Sequence, residues 1–366
     1  MKKFLIFIMM FFASLAIAYA QEDAIQLPSQ IGIVEKVIYV DMPDEVAQVK
    51  QVADIKIIQG DFKGEKIRLD NILTGNPYYD IKLKNGTKVI LHVDKDEDGL
   101  SFSIQDVHRS GVLFALAMLF CALLIYVGRK KGLYSLISIA ITAVLITNLL
   151  SPMILVGINP IVGTILICLL STAITMYSVG GFNRKSTSAL LGCLLSIIAA
   201  GVLSLITVKM AHLTGFSSEH SLFLYSAHPE LNFVAITVST MLLATLGAVM
   251  DVAMSIASTI NEIYSVDNTK TVKELFKCGM NVGRDIIGTM ANTLILVYMG
   301  SSLPLILLAS NIDFLKFVNL NQVVTEIASA LIGSCAIVIC VPITALVASE
   351  LIKNIPQKID FSEISD

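Results

Sequence analysis

The chain has 366 residues, of which 55% are apolar and only 15% are charged, and its mean hydropathy is +0.77. Soluble globular domains contain about 45–50% apolar and about 25% charged residues, so this composition argues against a soluble domain. The net charge of −3 comes without a broad basic surface, which argues against nucleic acid as a partner. The apolar residues occur in blocks of about 20, the length of a helix that spans a bilayer. The sequence therefore predicts an integral membrane protein whose main partner is the lipid bilayer.

Residues 1–20 have the order of a secretory signal. Lys2 and Lys3 precede an apolar run, and the small residues of Ala18-Tyr19-Ala20 follow it. This order predicts a signal peptide that is cleaved after Ala20. The alternative is an uncleaved anchor helix, and both interpretations place residue 21 outside the cytoplasm.

Residues 21–109 are more polar and alternate in short apolar runs at 32–40, 49–58, 65–73 and 87–93. Turn signals such as Asn85-Gly86 separate these runs. The pattern predicts a small extracytoplasmic β domain of five or six strands, closed like a barrel and similar to an OB-fold. The segment contains no cysteine that could form a disulfide. We expect either a folded platform or a module that docks a protein partner.

Seven apolar spans follow within residues 110–348, which predicts a seven-helix transmembrane bundle and a cytosolic tail at 349–366. The spans lie near 111–128, 133–150, 161–179, 189–208, 232–258, 285–308 and 323–348.

The basic residues support the orientation that this count gives. Ten lie in connections predicted to be inside and two in short connections predicted to be outside, as the positive-inside rule requires. The inside group is Arg129, Lys130, Lys131, Arg184, Lys185, Lys270, Lys273, Lys277, Lys353 and Lys358, and the outside group is Lys209 and Lys316. We therefore expect residues 21–109 outside and the C-terminus in the cytoplasm.

Two predicted spans carry polar stripes. In the fifth span, Asp251, Ser255, Ser258 and Glu262 follow one another at intervals of four, three and four, so they share one helix face. In residues 279–300, which include the start of the sixth span, a second stripe recurs at similar spacing: Asn281, Arg284 or Asp285, Gly288 and Asn292. A charge at the centre of a bilayer costs at least about 2.5–3.5 kcal/mol, so such residues usually face the interior of a bundle.

Two hypotheses fit these stripes. In the first, Asp251 pairs with Arg284 or Asn292 and locks the two helices together in a structural network. In the second, the stripes line a polar pathway, and Asp251 or Asp285 binds an ion or a proton, because buried carboxylates can titrate near neutral pH. The residues assigned to the pathway or network are Asp251, Ser255, Ser258, Arg284, Asp285 and Asn292.

Signatures of enzymes and cofactors are missing from the sequence. There is no GxSxG, HExxH or GxxxxGK[ST] string, so no catalytic residue and no cofactor is predicted. His212, His220 and His228 lie in a predicted outer loop with a spacing that has no metal-ligand geometry. We expect solvated histidines and no metal site.

A weak internal repeat is also visible. The string VGR at 127–129 and 282–284 precedes the similar strings PMILVGIN at 152–159 and PLILLASN at 304–311. A parallel repeat of this kind occurs in some transporters. The alternative is coincidence between short apolar strings.

Several long strings resemble the bacterial YibE/F family of multipass membrane proteins. They are GRKKGLYSLISI, SPMILVGINPIVG, GGFNRKSTSALLG, GAVMDVAMSIASTINEI and GMNVGRDIIGTMANTLILVYMGSSLPLILL. The resemblance extends over about residues 110–310 and is weaker in the exported segment. It implies a protein of the bacterial cytoplasmic membrane with a polar helix pair, and it implies no substrate.

The leading functional expectation is a permease or channel-like transporter of a small solute or ion. The alternative is a non-transporting scaffold that anchors the β domain or an assembly partner. The oligomeric state stays open.

Overall fold

The structure is a computed structural model that describes residues 28–41, 49–96 and 99–354. The chain divides into two compact units between Val127 and Gly128. The predicted signal peptide and the last part of the predicted tail, residues 355–366, lie outside the described residues.

The N-terminal unit contains a five-stranded antiparallel sheet with the order β3-β2-β1-β4-β5. The strands are β1 (Gln30–Asp41), β2 (Val49–Gln59), β3 (Lys66–Leu73), β4 (Lys88–Asp96) and β5 (Gly99–Val107). The edge strands β3 and β5 approach each other, so the sheet is nearly closed. The alternating runs predicted this small barrel-like sheet because period-two alternation gives each strand one buried and one exposed face. Its core consists of Val34, Ala53, Ile55, Ile57, Leu83, Val89 and Leu91.

Polar side chains fix the sheet and the loop between β3 and β4. Buried Gln51 donates to the Leu83 carbonyl at 3.2 Å and accepts from the Leu83 amide at 3.0 Å. Asp80 accepts from the backbone amides of Thr74 and Gly75 at 2.7 and 2.9 Å. Burial acts to raise the pKa of Asp80, but these hydrogen bonds outweigh it and leave the pKa below its usual value.

The helices follow in chain order, and the first of them begins in the N-terminal unit. They are α1 (Ser110–Leu145), α2 (Ser151–Leu155), α3 (Pro160–Gly180), α4 (Arg184–Met210), α5 (Glu219–Ala227), α6 (Phe233–Val266), α7 (Val272–Ser301), α8 (Leu303–Leu308), α9 (Phe314–Val318) and α10 (Asn321–Asn354). A π-helical turn, Ile146–Leu150, connects α1 to α2, and a 3₁₀ turn, Ala309–Asn311, follows α8. The short helices α2 and α8 each carry proline as their second residue.

The described residues contain five helices that are long and apolar enough to cross a membrane, or six if the bent pair α7 and α8 is one span. Seven spans were predicted, and the difference arises at two places. The first two predicted spans form one helical run, Ser110–Leu155, whose backbone leaves helical geometry at Arg129 (φ 48°, ψ −128°). The axis bends by 64° between α7 and α8. At the other end, α10 continues past the predicted boundary at 348 as far as Asn354.

The core of the bundle lies around α10, which packs against α4, α6 and α7. Glycines allow this close approach. Gly279 of α7 lies where an added Cβ would be 2.7 Å from Ile260 Cδ1 and 3.1 Å from Ala345 Cβ, and a Cβ at Gly283 would overlap Val341. Small residues at helix contacts are the usual means of packing helices closely in membranes.

Candidate functional site

Helix α6 places its polar stripe on the face opposite the core. Its N-cap is Asn232, whose side chain accepts from the Ala235 amide. Val249, Ala253, Ile256 and Ile260 are fully buried on the inner face. The stripe lies about half a turn away: Asp251, Ser255 and Glu262 are exposed and Ser258 is half-buried.

Helix α7 also places its polar stripe on the face opposite the core. It begins with a capping box in which Thr271 and Glu274 satisfy each other's backbone amides. Gly279 and Gly283 are buried towards α6 and α10. The predicted stripe lies on the opposite face, where Asn281, Arg284, Asp285, Gly288 and Asn292 are all exposed. Both stripes are therefore on the outer surface of the bundle as a single chain forms it.

The structure does not form the predicted pair between Asp251 and Arg284. Arg284 Nη1 donates instead to Asn281 Oδ1 at 3.3 Å, one turn away on the same helix. Within the described part of the chain, Asp251, Asp285 and Asn292 have no side-chain hydrogen bond or ion pair. Sequence spacing gave the shared face of each helix correctly, but it could not give the rotation of one helix about its axis relative to the other.

The charged groups nevertheless lie at similar depths. With a rise of about 1.5 Å per residue, Asp251 lies about 22 Å from the end of α6 at Val266. Arg284 lies about 18 Å from the start of α7 at Val272 by the same measure, and its neighbour Asp285 about 20 Å. The loop between the helices is held to α10, because Lys353 Nζ donates to the Asn268 carbonyl at 2.9 Å. Each chain therefore presents one cation and two carboxylates at nearly one level.

The polar groups inside the bundle behave differently. Ser196, Ser204 and Ser349 are fully buried, and each hydroxyl donates to the carbonyl four residues earlier at 2.7–2.8 Å. Such bonds satisfy the hydroxyl within its own helix. These three interior hydroxyls are therefore satisfied within their own helices, whereas Asp251, Asp285 and Asn292 of the exposed stripes have no such partner in the described residues.

Two interior features were missed by the sequence analysis. Cys168, Cys193 and Cys340 are buried in the bundle, and Cys340 Sγ contacts the Val249 carbonyl at 3.7 Å. Half-buried Glu326 lies on α10 near Tyr298 of α7. Glu326 could have been found from the sequence, because a lone carboxylate in an apolar span is itself a signal. The clustering of the cysteines depends on the packing of three helices and has no sequence signal.

The histidines of the connection between α4 and α6 lie apart from the stripes. His212 has a positive φ of 50°, and His228 Nδ1 lies 3.2 Å from Glu230 Oε1. No group of three or more His, Cys, Asp or Glu side chains that could hold a metal ion occurs among the residues that the structure describes.

Comparison with known proteins identifies both parts of the chain. A family model described as YibE/F-like protein matches residues 116–354, and one described as YibE/F family N-terminal domain matches residues 30–107. The boundary between the two matches lies close to the boundary between the sheet and α1. No curated protein and no solved structure matches the chain.

Proposed function

Since the chain belongs to the YibE/F family, we propose that this multipass membrane protein is a permease or channel-like transporter of a small solute or ion. The exposed stripes of α6 and α7 would line its path. One observation carries the proposal: the stripe residues Asp251, Asp285 and Asn292 are not used in packing the bundle that they belong to.

The energetic cost of these residues supports this assignment. A charge that faces hydrocarbon near mid-membrane costs at least about 2.5–3.5 kcal/mol. Asp251, within the fifth predicted span, would carry this cost if lipid covered it, and Arg284 and Asp285, at the start of the sixth, would carry part of it. Intramembrane ionisable residues therefore face water or protein in a stable membrane protein. Water along the stripes would hydrate all three groups and would form the polar path that transport requires.

The proposed topology keeps seven spans. The break in α1 at Arg129 is followed by Lys130 and Lys131, and a basic turn at this point would separate spans 111–128 and 133–150. The bent pair α7 and α8 would form the sixth span. We place residues 1–20 as the signal segment, 21–109 as the domain outside, and the C-terminus in the cytoplasm of a bacterial cell. The proline-containing helices α2 and α8 lie at the two copies of the weak repeat, which also supports a transporter.

A specific observation on the β domain favours the scaffold alternative. Tyr78 and Tyr79 are 76% and 71% exposed at the tip of the loop after β3, and their rings contact edge to face. Exposed aromatic side chains of this kind are enriched at protein interfaces. A scaffold would use this surface to hold a protein partner, with the bundle as its membrane anchor.

Flux in proteoliposomes tests the proposal. Purified full-length chain is reconstituted with pooled small solutes and a pH-sensitive dye, and release is compared with that of empty vesicles. Asp251→Asn keeps the size of the side chain but cannot titrate or hold a full charge, so we expect it to remove ion- or proton-coupled flux and to leave the melting temperature unchanged. Glu219→Gln is the matched control, because it removes an exposed carboxylate from α5, outside both stripes.

The outcomes separate the two functions. Flux in the wild type that Asp251→Asn abolishes and Glu219→Gln retains supports a path along the stripes. An absence of flux for every solute contradicts the transporter and favours the scaffold. Flux that is equal in all three proteins contradicts the assignment of the stripe as the path.

A further inference from the structure

Two glycines on the polar stripes have no packing role within the chain. An added Cβ at Gly247 or at Gly288 would meet nothing within 4 Å, whereas one at Gly279 or Gly283 would contact α6 or α10. Glycine in a helix interior costs about 0.8–1.0 kcal/mol relative to alanine. Contacts within one chain therefore explain why positions 279 and 283 are glycine, but they do not explain the glycines at positions 247 and 288. Small residues on an outer face are what a neighbouring helix requires for close approach in a membrane.

The charges on the same faces are self-complementary. Each chain presents the cation of Arg284 with the carboxylates of Asp251 and Asp285 at nearly the same depth. Two copies inserted in the same direction are related by a two-fold axis along the membrane normal, which brings residues of equal depth together. A two-fold interface uses the same patch on both copies, so this patch must carry both signs of charge at one level. The three residues meet that condition.

We propose that a second copy of this chain covers the polar stripes of α6 and α7. Arg284 of each copy lies against Asp251 and Asp285 of the other, and Gly247 and Gly288 allow the helices to approach. The site of the proposed function is incomplete in one chain, because one wall of the path comes from each copy. The placement of the path rests on the proposed function, whereas the contact between copies does not.

Cross-linking of the full chain in native membranes tests the contact. The accessible cysteines Cys121, Cys278 and Cys335 are first replaced by alanine, and the buried ones stay in place. Asn281→Cys or Asn292→Cys then places one thiol on the stripe of α7, and a short bis-maleimide is added. His220→Cys is the matched control, because His220 is exposed on α5, outside both stripes.

We expect most of each stripe variant, and little of the control, to migrate at twice the mass of the chain that is not cross-linked. Equal cross-linking of stripe and control positions would show random collision and would overturn the proposal. Cross-links to proteins of other masses, without the product of two copies, would also overturn it, because the occupant would then be a different protein.

Charge reversal tests the pairing. A chain with Arg284→Glu presents only acids at this level, and a chain with Asp251→Lys and Asp285→Lys presents only bases. Each is expected to be monomeric alone, and differently tagged copies of the two are expected to co-purify when they are expressed together. Recovery of the mixed pair also shows that both variants fold. The proposal fails if either variant pairs with itself as well as the wild type does, or if the mixture does not associate.

The dimer and the transporter can fail separately. Cross-linked copies without flux would retain the dimer and reject the transporter. Flux from a chain that native mass spectrometry shows to be monomeric in lipid nanodiscs would retain the transporter and reject the dimer.

Discussion

A pair of glycine substitutions in α7 tests which face of this helix packs against the bundle. Gly283→Ala and Gly288→Ala make the same chemical change in the same helix, so both gain about the same 0.8–1.0 kcal/mol in helix propensity. The difference in stability between the two variants therefore reports only the contact that the added methyl group makes. A Cβ at position 283 overlaps the Val341 side chain, whereas a Cβ at position 288 meets nothing within 4 Å.

The structure gives the size of this difference. Overpacking of a closely packed contact costs about 1–3 kcal/mol, and Gly288→Ala has no such cost. On the scale of domains of 150–250 residues, about 2–4 °C per kcal/mol, Gly283→Ala should melt roughly 2–12 °C below Gly288→Ala. Thermal unfolding in a detergent that keeps both variants monomeric measures this difference. If Gly288→Ala melts at the lower temperature, α7 is rotated and its polar stripe faces the core.

Three further predictions concern the rest of the chain. Labelling of single cysteines in intact cells with an impermeant reagent should modify residues 21–108 from outside and residues 349–366 only after lysis, and a C-terminus that labels from outside would show that the number of spans is wrong. Residues 21–109 expressed alone should give a soluble, β-rich circular dichroism spectrum that reductant does not change, whereas a random-coil spectrum would mean that this domain folds only with the bundle. The hydrogen bond from Arg68 holds the pKa of Asp54 below its usual 3.8, and the hydrogen bonds at Asp80 act in the same direction. A carboxylate whose pKa is lowered in the folded state stabilises the fold above pH 3.8, and this contribution is lost as the pH falls further. The melting temperature of this domain should therefore decrease below about pH 4, and the decrease should be smaller in Asp54→Asn.

The sequence predicted the β domain because its signals are local. The runs at 32–40, 49–58, 65–73 and 87–93 alternate with period two, and strands were found at each. Strand order and closure depend on long-range pairing, such as that of β1 with β4, and were predicted only as a general barrel. The positions of the helices were predicted in the same way, from the lengths of the apolar runs. These lengths did not predict that the chain stays helical from Ser110 to Leu155 around one irregular residue.

The candidate site could be predicted only in part, because spacing along one helix is local but the packing of that helix is not. Intervals of three and four residues placed Asp251, Ser255 and Glu262 on one face, which the structure retains. The direction of that face depends on what the opposite face packs against, here the buried side chains such as Val252 and Ile256. Sequence reasoning assigned the polar face to the interior because charges avoid lipid. In the single chain the apolar face occupies the interior instead.

The water accessibility of the α6 stripe tests whether a polar path runs along this helix. Ser255→Cys and Ser258→Cys are made in the background without Cys121, Cys278 and Cys335, beside Leu195→Cys, which lies on the apolar surface of α4 and is 48% exposed. Each is treated in intact membranes with a charged thiol reagent, which reacts only with thiols that water reaches. If the stripe lines a polar path, both stripe cysteines are modified and the cysteine at position 195 is not. Unmodified cysteines at both stripe positions would contradict a polar path on this face of α6.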